Sequence, residues 1–429
     1  MTNPINGMPD RNWRRYVGLF VVLVTCALPG PFALADPAQE FAEADSKFAE
    51  AWRDQNLEEA LPWARKRVEI LSNQDRMSPQ LLVPLLQLTA VEVQLSESVA
   101  ALETIEHAVR ILKKQPDDTT LLEFLMFKAQ AYTAEFETAD AFDTFGEAVK
   151  VNKRIEPYDL LREAMIYDAY LDAAKSRGAR EKRKGDFAAD KALSAREKLY
   201  GKDSIELIPG LEAYAEWCNY SSQFGDERET RERIIEIISQ QAGSSNFRIA
   251  KQAIIIAKSH IYQRTQADDA AQVMELTQEL DYPATAEGVA MHAQALAVSG
   301  DVQVVFGKEE KAADFYRNAW QLLADFLGPA EANRFFGREA LLVFNFPDNP
   351  ARGKSGEAYF ESGTVTSEFT VLPNGRLKDV EFRSDIAKLD DTEFYKASRR
   401  ARYRPRVVDG EPVSTADVIY KYRYQRLRR

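Results

Sequence analysis

Alanines recur along this chain at a near-constant interval, and that interval limits its fold more than any other feature. Ala60, Ala101, Ala141, Ala188, Ala270 and Ala312 are separated by 41, 40, 47, 82 and 42 residues. The gap of 82 holds two periods, with Thr230 at its middle. A period of about 41 residues, repeated in seven units, marks a stacked array, because one such unit alone buries too little apolar surface to be stable.

Each alanine also opens a helical stripe. Ala101, Ile105 and Ala108 fall at i, i+4 and i+7, as do Ala141, Phe145 and Ala148; Ala188, Ala192 and Ala195; and Ala312, Tyr316 and Ala319. That spacing puts all three on one helix face. Small residues there let a second helix approach, and a large middle residue fills the gap. Further helical stretches, Gln80 to Leu95, Leu121 to Thr133 and Tyr158 to Ala174, lie between. Turn signals such as Gln115-Pro116-Asp117-Asp118, Gly201-Lys202-Asp203-Ser204 and Asp281-Tyr282-Pro283 separate them. The expected fold is mainly α: an α-solenoid of about seven helix pairs over residues 36–336.

Asn56-Leu57-Glu58-Glu59-Ala60 and Lys308-Glu309-Glu310-Lys311-Ala312 resemble the opening of the second helix of tetratricopeptide repeats, and Ala195 to Asp203 resembles the longer variant of that repeat. The resemblance implies a groove, lined by first helices, that binds peptides or partner domains. The alternative is a spacer or a self-association surface.

Beyond Phe335-Phe336-Gly337 the period changes. Leu341 to Phe346 reads as a strand or a last helical turn, and Pro347, Pro350, Gly353 and Gly356 as a linker, so residues 337–356 are a linker or an extra strand. Val365, Ser367, Phe369 and Val371 then alternate with Thr364, Thr366, Glu368 and Thr370, which is a strand period. Pro373-Asn374-Gly375 predicts a tight turn, and Leu377 to Phe382 returns with Val380 and Phe382 on one face. Asp390 or Asp391 can cap a helix that runs through Ala401 and buries Phe394, Ala397 and Ala401. Tyr403-Arg404-Pro405 and Asp409-Gly410 read as loop, before a closing strand in which Val418, Tyr420, Tyr422 and Tyr424 alternate.

Three pieces closely resemble the C-terminal domain of TonB and its relatives: Gly363-Thr364-Val365 with Phe369 to Val371, Asn374 to Val380, and Arg402 to Val413. The last is the most specific and contains Tyr403, Arg404, Pro405, Gly410, Pro412 and Val413. The resemblance implies a small α+β domain over 357–429. It also implies that the closing strand offers an exposed edge to a short peptide of an outer-membrane protein, by strand addition. The candidate edge is Val418, Ile419, Tyr420, Lys421, Tyr422, Arg423, Tyr424 and Gln425. Its alternatives are pairing with a second copy, giving a homodimer, and service to the domain's own sheet alone.

Catalytic signals are missing from the sequence. Only three histidines occur, His107, His260 and His292, with no metal-ligand spacing. There is no Gly-rich phosphate loop and no Gly-x-Ser-x-Gly elbow. The paired acids Asp117-Asp118 and Asp390-Asp391 sit where Asp favours turns and caps. Neither enzyme activity nor a cofactor is expected. The net charge of −11 disfavours nucleic acid as a partner. From residue 351 onward the formal charge is +5, leaving −16 upstream, and Arg426-Leu427-Arg428-Arg429 is a closing basic cluster that supports at most peripheral membrane contact.

At the N-terminus, Arg11, Arg14 and Arg15 precede an apolar run from Tyr16 to Leu28 and then Ala33-Leu34-Ala35. That order predicts a secretory signal peptide over 1–35, cleaved after Ala35, and a periplasmic mature chain. Cys218 is then the only cysteine of the mature chain, so no intramolecular disulfide is expected. The alternative is a membrane anchor through residues 16–34. The combined expectation is a non-catalytic periplasmic adaptor or scaffold that binds envelope proteins. A TonB-type energy transducer for outer-membrane transport is the alternative. Against it stand the lack of any histidine before His107 and of a proline-rich spacer.

Overall fold

The computed structural model describes residues 37–176, 181–307, 309–343, 360–385 and 392–427. The expected signal peptide, residues 344–356 of the expected linker, the Asp390-Asp391 cap, and Arg428 and Arg429 lie outside the described residues. The described chain divides into two compact units, with the boundary after Thr230 inside a helix.

The first unit contains α1 (Pro37–Arg53), α2 (Leu57–Gln74), α3 (Leu82–Gln94), α4 (Ser98–Lys114), α5 (Asp118–Ala134), α6 (Thr138–Asn152), α7 (Leu160–Ser176), α8 (Lys182–Tyr200), α9 (Ile208–Tyr220) and the start of α10 (Phe224–Ala242). Helices pack two by two, α1 on α2 through α7 on α8, and each pair packs on the next. The repeating alanines lie in the second helix of each pair: Ala60, Ala101, Ala141 and Ala188 are all fully buried. Their i+4 and i+7 partners are buried too, including Ile105, Phe145 and Ala192. Burying a side chain such as Phe145 contributes about 1.5–3 kcal/mol.

The turns inside the pairs repeat as faithfully as the alanines. Gln55, Ser96, Phe136 and Ser222 each stand two residues before a second helix, and each has a left-handed backbone, with φ of 57°, 61°, 63° and 63°. The amide of the following residue reaches back to the helix just ended: Asn56 N–H donates to Ala51 O, Glu97 to Glu92, Glu137 to Tyr132 and Gln223 to Cys218. This six-to-one bond satisfies a carbonyl that a helix end would otherwise orphan, and it reverses the chain in a few residues. Asn56 then caps α2 by accepting from Glu59 N–H through its side chain.

The second unit continues with the rest of α10, α11 (Arg248–Gln263), α12 (Ala267–Leu276), α13 (Ala286–Phe306), α14 (Glu309–Leu327) and a short α15 (Pro329–Phe335). Ala270 and Ala312 keep the repeat position and are buried. In α10, Ile234 and Ile237 fill the places that small or aromatic residues take elsewhere. The described residues therefore hold seven helix pairs, as the period requires.

After α15 come β1 (Ala340–Val343), β2 (Phe360–Val371), β3 (Leu377–Ser384), α16 (Thr392–Arg400), β4 (Arg402–Arg404), β5 (Arg406–Val408), β6 (Glu411–Val413) and β7 (Thr415–Leu427). The main sheet has the order β3-β2-β7 and is antiparallel. Val365, Ser367, Phe369 and Val371 form its buried face, as the alternation predicts, and Phe394, Ala397 and Ala401 are buried with them. Gly375 makes the tight turn, with φ of 76°. A Cβ there would stand 2.3 Å from Tyr403 O and 2.8 Å from Val304, so only glycine fits.

One segment departs from its sequence reading. Tyr403-Arg404-Pro405 and the stretch around Asp409-Gly410, read as loop, belong to three short strands: β4 pairs with β1, and β5 with β6 across Asp409-Gly410. Each is three residues long, too short for a strand period to show in sequence.

Candidate partner-binding site

The predicted partner-binding edge is the outer side of β7. On one side β7 pairs with β2 from Leu427 opposite Phe360 to Val418 opposite Phe369, with Thr415 opposite Val371 beyond a bulge. On its other side no strand pairs with it among the described residues. Its side chains alternate: Val418, Tyr420 and Tyr422 are half-buried, whereas Ile419, Lys421 and Arg423 are exposed. Ile419 is 59% exposed, unusual for a β-branched apolar residue. The side chains of Tyr424 and Gln425 lie outside the described residues, although their backbones pair with Gly363 and Ser362. An unpaired row of backbone N–H and C=O groups can take an incoming strand.

The motif residues Tyr403, Arg404, Pro405, Gly410, Pro412 and Val413 sit elsewhere. Arg404 and Gly410 face the last helix pair, whereas Tyr403 packs with Phe369, Val371 and Ala401 in the core of the β region, against Val418 and Tyr420 of β7. Tyr403 is 3% exposed, and Pro405 and Gly410 are buried. Arg404 reaches α13, where its Nε donates to Asp301 Oδ1 at 2.8 Å and its Nη2 to Asp301 Oδ2. Tyr316 Oη on α14 donates to the same Oδ1 at 2.9 Å. Asp301 is 1% exposed, so this pair is removed from water. Asp301 and Tyr316 hold the Arg404 guanidinium above its ordinary pKa despite burial. Burial, and then the Asp301 charge, push the Tyr316 phenol far up.

Around that clamp the β region and the helices share one apolar core. Val407 of β5 is fully buried with Val289, Ala293, Val304, Tyr316, Trp320 and Phe336. Val407 N–H donates to Phe336 O. Gly410, with φ of 85°, lies against Trp320, whose Nε1 donates to Asn333 Oδ1 at 2.7 Å. Asn333 in turn donates to Asp409 Oδ1 at 3.1 Å. Arg317 grips Glu411 through two bonds of 3.0 and 3.1 Å, and Arg376 donates to Glu309 at 2.6 Å. The motif thus fastens the C-terminal region to the last repeat. Sequence reasoning did not find Asp301 as its anchor; the only signal was one carboxylate inside the apolar run Ala295 to Phe306.

The three histidines are placed apart. His107 Nε2 lies 2.7 Å from Arg76 O, His260 is buried in α11, and His292 stacks on Tyr282 at 4.2 Å. Among the described residues no group of three His, Cys, Asp or Glu is placed to hold a metal.

The architecture is that of a mainly α helical-repeat solenoid followed by a small C-terminal β region. No protein-family model and no curated protein matches the chain. Solved structures do. A tetratricopeptide repeat protein from Parabacteroides merdae is 14% identical, with 66% of this chain and 93% of that chain covered and a TM-score of 0.36. The C-terminal part of a repeat protein from Cytophaga hutchinsonii is 14% identical over 67% of this chain and 95% of that one, with a TM-score of 0.42. A Rap protein complexed with competence and sporulation factor is 13% identical over 71% and 78%, with a TM-score of 0.36.

Proposed function

We propose that this chain is a non-catalytic adaptor of the periplasm. Its repeat array holds one protein partner, and its C-terminal region, resembling the TonB C-terminal domain, captures a peptide of another envelope protein along β7. The observation that carries this reading is the unpaired outer edge of β7 among the described residues, 13 residues long. Backbone bonding along such an edge provides affinity, and the alternating side chains provide selection.

Two measurements test it. Crosslinking and pulldown from envelope fractions should recover a specific partner with the full chain and lose it with Lys421→Pro, which removes an edge N–H. Equal recovery with both would sink strand capture. For export, mass spectrometry of the mature protein should find Asp36 at the N-terminus; an intact Met1 terminus would overturn cleavage.

A further inference from the structure

The upstream chain is acidic, yet residues 237–267 contain no Asp or Glu at all. That window includes the whole of α11, the first helix of the sixth pair. Along its solvent side run Arg248, Lys251, Lys258 and Tyr262, all exposed, with Ile255 half-buried between them. These positions follow helical spacing and make one stripe. Sixteen residues of α-helix give it a length of about 24 Å.

At the C-terminal end of the stripe the charge deepens. Arg264, just past α11, donates to Arg400 O at 2.6 Å, which brings the end of α16 beside it. Arg402 follows on β4. Burial, then Arg402 and Arg400, lower the pKa of Arg264. Burial, then Arg404, does the same to Lys258, and burial, then Arg376, to Arg402. The nearby acids are already committed: Asp301 to Arg404 and Tyr316, Glu309 to Arg376 and Asn374. Among the described residues, no carboxylate forms a salt bridge with Lys258, Arg264, Arg400 or Arg402.

We infer that this basic face, from Arg248 along α11 to Arg400 and Arg402, is a docking site for an acidic segment of a partner protein. Cations with Ile255 and Tyr262 between them suit a peptide that alternates carboxylates and apolar side chains. An extended peptide of about seven residues spans the stripe. A nucleic-acid strand fits worse, because so short a stripe neutralises few phosphates and the chain as a whole carries a net charge of −11. The inference rests on the adaptor reading of the array but not on the β7 edge.

Fluorescence anisotropy on the full chain tests it, with a labelled peptide of alternating Glu and Leu as the probe. Binding should weaken about tenfold or more when Gln replaces Glu in the peptide, and by a similar factor in Lys258→Glu/Arg400→Glu. Lys113→Glu/Lys114→Glu, on exposed residues of the first unit, should change nothing. Should the reversed variant melt early, Lys258→Gln/Arg400→Gln replaces it with the same expectation. Unchanged affinity in a variant that melts like the parent would overturn the site. So would tighter binding of an oligothymidine or of phosphatidylglycerol vesicles than of the peptide. Loss of binding in Lys421→Pro alone would move the peptide to β7 and equally overturn this proposal.

Discussion

Arg404 and Asp301 are 103 residues apart in sequence and meet as a two-bond ion pair, with Tyr316 completing the set. Removing one partner of a buried pair leaves the other charged and dry, which costs about 3–5 kcal/mol. Asp301→Ala should therefore destabilise the second unit by that amount, read as an earlier urea transition and faster proteolysis near residue 404. Replacing both partners with apolar residues should recover most of the loss.

The left-handed turns give a prediction of opposite sign. Ser96 and Ser222 are exposed and sit at φ of 61° and 63°. A side chain there carries a steric penalty that glycine lacks. Ser96→Gly and Ser222→Gly should each stabilise the first unit by about 0.5–1 kcal/mol, seen as a higher melting temperature. A drop would mean that the turns tolerate serine without strain.

Glu123 on α5 predicts a pH dependence. Burial, and then the Asp117 charge, push its carboxyl up from 4.5 to about 7. Between those values the folded chain holds a proton that the unfolded chain has shed. This contribution is fully present below pH 4.5 and is lost as pH rises through about 7. Glu123→Gln should leave stability unchanged at pH 4 and raise it by about 1 kcal/mol at pH 8, a value discounted for the partial exposure of the group. Melting curves of both proteins across pH 4–8 check the slope.

Cys218 is 1% exposed, and burial together with Asp226 and Asp186 pushes its thiol up to about 12. The nucleophile is the thiolate, so this sulfur should be inert. Ellman's reagent at pH 8 should react slowly with the native chain from Asp36 onward, which holds Cys218 alone, and fully in urea. Rapid native reaction would show that the α9–α10 packing opens.

The repeat phase was legible because its cause is local and recurs. Close helix crossing demands a small residue at Ala60, Ala101 and Ala141, and the same demand returns every period. The β2 face was legible for a similar reason, since Val365 to Val371 alternate over several residues. The clamp was hidden. Nothing local marks Asp301 as the partner of Arg404, and β4 to β6 owe their strand form to pairing and to the helices beneath them, not to pattern. Motif resemblance drew attention to Tyr403 to Val413, yet Tyr403 lies in the core of the β region, Arg404, Val407 and Gly410 contact the repeat, and the unpaired edge lies on β7.

Val407 closes the apolar core that begins at Val289. Synthesis runs from the N-terminus, so Val289 emerges more than a hundred residues before the side chain that seals it. The last repeats therefore stay open, with apolar surface available to chaperones, until β5 has appeared. A product that stops before Val407 would lack that seal, which makes synthesis of β5 a condition for burying the final repeat.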